Sequence, residues 1–224
     1  MIMKFEGILE RFPGLCVAEG TVSGLTIGER SSDLDAFKPG VYGRIRAAHT
    51  IENVKDDPGY RAYRDFFWRV GIDPTKTRPA SEALVRRILA GNPLPSINTA
   101  VDAYNLASAL CGVPIAAFDA GHLRGGLTMR MAAEGEPFHG IGMPEPIGLK
   151  PNQVVICDEA AVIAVYPYRD ADASKVTLET RTVRLVSCGV PGIGPGRVRA
   201  AYAACTDLMQ KYCGGQADVP TLSP

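Results

Sequence analysis

Histidine is scarce in this sequence, with only His49, His122 and His139 in 224 residues, and the six cysteines form no CxxC pair. No cysteine lies close to a histidine in metal-ligand spacing, which argues against a zinc site. A Ser-His-Asp triad would need long-range convergence on one of three histidines. The scattered thiols read as reduced side chains of the core or surface. The chain also lacks a dinucleotide fingerprint and a P-loop, which disfavours redox enzymes and kinases and leaves no cofactor or metal expected. No segment approaches the roughly 20 apolar residues of a membrane span. The opening MIMKFEGILERFPG lacks the apolar run of a signal peptide, so a cytoplasmic protein without a membrane partner is expected. An excess of one charge is missing too. Because 24 basic residues balance 24 acidic ones, no global field draws the chain to nucleic acid, and any RNA contact has to be local.

What is present is apolar material, 46% of the residues, enough for one sizeable core. The first half reads as helical after an early strand in Leu15 to Ile27 (LCVAEGTVSGLTI). Ser32 and Asp33 can cap a short helix that Pro39 and Gly40 end, and VYGRIRAAHTIENVKD then continues with apolar residues at helical spacing. Asp57 and Pro58 open the next helix, which Gly71 closes. Its Tyr60, Tyr63, Phe67 and Trp68 could offer a base-stacking platform, but spacings of three and four favour packing in a core. Pro79 starts a further helix that ends at Gly91, with Glu82 in its first turn and Arg86 and Arg87 away from its apolar side. Asn98 caps a helix to Cys111, on which Val101, Tyr104 and Leu110 are candidates for the packed side. Asn98, Asp102 and Asn105 form a polar stripe on one face, readable as a cap plus a solvated surface or as the wall of a site.

After Gly112 the texture becomes β: PIAAF, LTMRMA, VVICD, AAVIAVYPY and TVRLVS. The loop from Glu134 to Lys150 is rich in glycine and proline and is a candidate pocket wall, with His139 as an available base or a plain surface histidine. Arg169, Asp170 and Asp172 fit either a pocket mouth or a charged turn. Pro195 to Cys213 is an amphipathic helix, and residues 216–224 read as a frayed, flexible tail. Residues 1–215 are expected to form a single α+β domain. The segment VPGIGPGRVRAAY, Val190 to Tyr202, mimics the phosphate-gripping hairpin of a helix-hairpin-helix element. That element needs a helix before it, whereas ETRTVRLVSCG reads as a strand, which favours a strand-to-helix turn with Arg197 and Arg199 exposed and makes DNA an improbable partner.

The run RPASEALVRRILAGNPLPSINTAVDAYNLASALCGVPIAAFDAGHLRGG, followed by EGEPF and VVICDEAAV, resembles the B3/B4 domain of phenylalanine-tRNA synthetase beta subunits between Arg78 and Cys188. LMQKYCGG resembles the finish of free-standing proteins that carry this domain without the synthetase core. The resemblance implies a β-sandwich-like sheet core with helices packed on it, around a pocket that in the synthetase clears tyrosine esterified to the phenylalanine tRNA. An aminoacyl-tRNA or amino acid is then the expected partner. The function implied is hydrolysis of mischarged tRNA in trans, or binding of the aminoacyl group without catalysis. Carried over residue by residue, the pocket falls on Tyr104 and Asn105 and on a strand of Ala116, Ala117, Phe118 and Asp119, with Tyr104, Asn105, Ala116, Phe118 and Asp102 as the substrate-binding candidates, while no catalytic residue announces itself. Bacterial synthetases place a small hydroxylated residue where Tyr104 stands and a histidine where Ala116 stands. Their later pocket carboxylate falls near Leu185 or Val186, in a strand without an acid. The oligomeric state is not legible.

Overall fold

The computed structural model describes residues 2–223. The first half runs β1 (Lys4–Phe5), α1 (Ile8–Arg11), β2 (Val17–Ser23), α2 (Ser32–Ala48), α3 (Pro58–Arg69), α4 (Ala80–Leu89) and α5 (Thr99–Cys111). The second half runs β3 (Ile115–Asp119), β4 (Thr128–Met131), β5 (Pro137–Phe138), β6 (Ile147–Gly148), β7 (Val154–Cys157), β8 (Val162–Val165), β9 (Arg169–Asp170) and β10 (Thr182–Cys188). It closes with α6 (Pro195–Cys213), β11 (Gln216–Ala217) and β12 (Thr221–Ser223). No helix among the described residues is long and apolar enough to cross a membrane.

The architecture is α+β, as the sequence implied. One sheet has the order β1-β4-β7-β8-β9 and a second the order β11-β2-β10-β3, with β12 also on β2, while β5 and β6 form a separate two-stranded pair. Strand β10 is central in the second sheet because it is apolar enough to be covered on both sides: Val183, Leu185 and Val186 have no exposed surface. Helices α5 and α6 pack on each other, and α6 lies on β2 and β10.

The helix boundaries follow local chemistry. The Asn98 side chain accepts from the Val101 N–H at 2.9 Å and Asp57 accepts from the Gly59 N–H at 2.8 Å, each satisfying an orphan donor of a first turn. Pro195 stands in the first turn of α6, where its missing N–H costs nothing. Gly112 ends α5 at φ 64°, a conformation that glycine adopts without a Cβ penalty.

Two expectations are corrected. Helix α2 runs unbroken through Pro39, and its cap is Ser31 rather than Ser32 or Asp33. The proline costs roughly 3 kcal/mol, but Leu34, Val41, Tyr42 and Ile45 on either side of it are buried as α2 packs on α4 and α5, and that burial offsets the cost. Residues expected as a frayed tail pair with β2, because β2 otherwise presents an open edge of backbone donors and acceptors. Glu82 stands in the first turn of α4, as expected. It has no exposed surface and is held by Arg64 at 3.0 Å and by Arg86 at 2.7 Å, so a buried carboxylate is paired from two helices. The aromatic residues of α3 are core: Tyr60, Tyr63 and Phe67 are buried, leaving only Trp68 exposed.

Candidate functional site

The two sheets meet at a short span. The Asp170 carboxylate on β9 accepts from the Ala117 N–H on β3 at 3.2 Å. Nearby, the Tyr166 hydroxyl donates to the Gly189 carbonyl at 2.5 Å, and Tyr63 donates to the Cys188 carbonyl at 2.6 Å. Beside this junction lies a cavity of about 240 Å³. Helix α5 contributes Tyr104 and Asn105, and the start of β3 contributes Ile115 and Ala116. The opposite wall is Val165 through Asp170, with Ile141 reaching over from the Glu134 to Lys150 loop. The space is smaller than the roughly 300–1,000 Å³ of pockets for drug-sized ligands, and suits a group the size of one amino acid.

Most of the lining is apolar or aromatic, and Asp170 is the carboxylate in it. Removal from water pushes its carboxyl up to about 7, while the Ala117 N–H works weakly the other way. Burial, reinforced by the negative charge of Asp170, holds the Tyr104 hydroxyl firmly protonated. Arg169 turns aside from its neighbour: its guanidinium donates to the Ile141 carbonyl at 2.5 Å and lies 5.0 Å from the centre of the Tyr168 ring. Its Nε is buried with no acceptor among the described residues. The Asp170 carboxylate is in no ion pair among the described residues, so the cavity holds an acid suited to a cationic guest.

The residues singled out from the sequence separate here. Tyr104, Asn105 and Ala116 line the cavity together. Phe118 shares the face of Ala116 but sits two residues further along the strand, about 7 Å away, where it is fully buried in the core. Asp102 points to α2, pairing with Lys38 at 2.8 Å and accepting from the Ile97 N–H at 2.9 Å. The polar stripe of α5 is therefore a cap, a buried ion pair and a cavity residue in succession, not a solvated face. His139 is exposed, with Nε2 2.8 Å from the Met143 carbonyl, and does not line the cavity. Of the three charged residues between the strands, Arg169 and Asp170 line it, whereas Asp172 pairs with Lys175 at 3.0 Å. The Val190 to Tyr202 segment follows a strand, β10, and Arg197 is spent on the Cys111 carbonyl at 3.0 Å.

The model of the B3/4 domain matches residues 62–214. The chain belongs to the B3/4 domain family. That match extends beyond Arg78 and Cys188 at both ends. A phenylalanine-tRNA ligase beta subunit from Pseudomonas fluorescens is 30% identical over 168 residues, covering 75% of this chain and 21% of that protein. Another, from Corynebacterium efficiens, is 34% identical over 113 residues, covering 50% and 13%. The B3/4 chain thus spans about a fifth of such relatives or less. An N-terminal fragment of the phenylalanyl-tRNA synthetase beta subunit from Pyrococcus horikoshii superposes on all of this chain and 56% of its own, with a TM-score of 0.52 at 14% identity, a likeness of fold alone. In this B3/4 chain β10 carries no acid near Leu185 or Val186, and the carboxylate that lines the cavity is Asp170 on β9. The signal available for it was the cluster Tyr166-Pro167-Tyr168-Arg169-Asp170, two aromatic residues beside a carboxylate at a strand junction.

Proposed function

We propose that this B3/4 domain binds the aminoacyl group of a charged tRNA in the cavity between α5, β3 and β9 and hydrolyses its ester. The observation that carries the reading is the unpaired Asp170 carboxylate in an apolar, aromatic cavity of amino-acid size. The ligand's ammonium lies against Asp170, its side chain against the apolar wall, and the Asn105 amide is placed to hold a polar atom. Water attacks the ester carbonyl, the bond to the ribose oxygen breaks, and the water's proton leaves with that oxygen, giving free amino acid and uncharged tRNA. Preorganised polar groups and a placed water suffice for such a step, and a side-chain nucleophile is not required. The kinship with phenylalanine-tRNA ligase beta subunits supports a tRNA-borne substrate.

The experiment is release of amino acid from a panel of mischarged tRNAs, tyrosine on phenylalanine tRNA included. Release above buffer for one member, diminished in Asp170→Asn, supports the reading, and no release from any member sinks hydrolysis. One observation favours binding without turnover: the cavity presents the Ala116 methyl where the resemblance implies a histidine. Calorimetry with non-hydrolysable aminoacyl-adenosine analogues separates the two, since heat of binding without turnover establishes the second.

A further inference from the structure

A groove on the surface of α4 opens beside the cavity and shares Ala80, Tyr168 and Arg169 with it. It is lined by Lys76, Arg78, Arg86, Arg87 and Arg169, with no acidic residue in its lining. In a chain of zero net charge this is a local concentration of one sign. Arg86 is engaged by the buried Glu82, and Arg87 donates through Nε to the Pro93 carbonyl at 2.6 Å, but Lys76, Arg78 and Arg87 are in no ion pair among the described residues, and all three are exposed. The nearby Asp73 carboxylate accepts from the Thr75 N–H at 2.8 Å and hydroxyl at 2.6 Å, and it also feels the charge of Lys76, so it offsets part of the positive charge at that end of the groove. At the junction of groove and cavity, Arg169 carries a buried Nε–H without an acceptor, a donor that a buried site normally satisfies.

We infer that this groove holds the phosphate backbone of a single-stranded RNA end, with Arg169 at the turn where the terminal group passes into the cavity. The inference rests on the aminoacyl reading of the cavity and adds the partner's path to it. The occupant follows from charge complementarity along the groove and from the cavity's size, which admits one residue-sized group and therefore a chain end rather than a continuous strand. Backbone phosphates are the ligand such exposed, unpaired cations recognise without reading sequence.

The test measures affinity for uncharged tRNA by fluorescence anisotropy across a salt series. It compares the wild type, the groove variant Lys76→Glu/Arg78→Glu/Arg87→Glu and a control, Lys4→Glu/Arg124→Glu/Arg199→Glu, which carries the same charge change on exposed residues outside the groove. We expect the groove variant to lose at least tenfold in affinity, with the slope of log affinity against log salt shallower by about 2, since each backbone contact to a single strand contributes about 0.7. The control keeps both. A groove variant within twofold of wild type, or a control that loses as much, overturns the inference. Cross-linking of 4-thiouridine placed near the RNA 3′ end of the wild-type complex is an independent arm needing no variant: adducts in residues 76–92 support the groove, and adducts confined elsewhere overturn it. If the groove variant loses RNA while the wild type neither binds an aminoacyl-adenosine analogue nor releases any amino acid, the groove stands and the cavity reading fails. The reverse pattern overturns the groove alone.

Discussion

The Asp170 carboxylate and the Ala117 N–H are 3.2 Å apart across the gap between two sheets, and that bond places the acid at the cavity wall. The residue is therefore a structural seam and a candidate ligand group at once, and its ionisation should be visible in both roles.

The carboxyl of Asp170 is pushed up to about 7 by burial, so the folded state holds its proton more tightly than the unfolded chain, where the ordinary value is 3.8. The stabilisation this gives is full below about pH 4 and is lost as pH rises to about 7 and beyond. The effect is on the order of a few kcal/mol, at 1.36 kcal/mol per unit. Asp170→Asn keeps an acceptor for Ala117 and removes the titration. Urea denaturation of both proteins between pH 4 and 8 should show the wild type losing stability relative to the variant as pH rises, and parallel profiles would contradict the raised value. An ammonium guest reverses the preference, so its binding to the wild type should strengthen through the same interval.

Ala116 lines the cavity on its β3 side and is itself buried. Ala116→Phe should fill the space, weaken binding of an aminoacyl-adenosine analogue at least tenfold and cost about 1–3 kcal/mol of stability through overpacking. Phe118→Leu, in the core beyond the cavity, should lower stability with little change in binding. Calorimetry and thermal melts together check the contrast.

Lys38 is buried among Asp102 at 2.8 Å, Asp35 at 2.7 Å and the Ser96 hydroxyl at 3.0 Å. Lys38→Met should destabilise the fold by roughly 3–5 kcal/mol, because Asp102 keeps its charge without its partner. Adding Asp102→Leu should recover part of the loss, although the Ile97 N–H then loses its acceptor. A double-mutant cycle by denaturation measures the coupling.

Burial raises every one of the six thiols, Cys157 to about 11, and only Cys111 is partly exposed. Since thiolate is the reactive form, the native protein at pH 8 should react with a disulfide reagent slowly and mainly at Cys111, while all six react in denaturant. Rapid modification of more than one thiol in the native state would contradict the burial.

The sequence by itself determined whatever depends on near neighbours. Asn98 and Asp57 announce their helices because a side-chain oxygen can reach only the first turn that follows it, and Pro195 and Gly112 act through their own φ. The strands were legible from runs such as VVICD and TVRLVS, and the family from the ordered series INTAVDAYN and VPIAAFD. Tertiary structure decided where the partner is distant. Pro39 stays inside α2 because α4 and α5 bury the residues around it, and residues 216–223 are ordered by the open edge of β2. Asn98, Asp102 and Asn105 share one stripe, yet Val176, Lys38 and the cavity give them different fates. Asp170 is the clearest case. Its raised pKa comes from two sheets closing over it, and desolvation by residues far away in the chain leaves no mark on the local sequence.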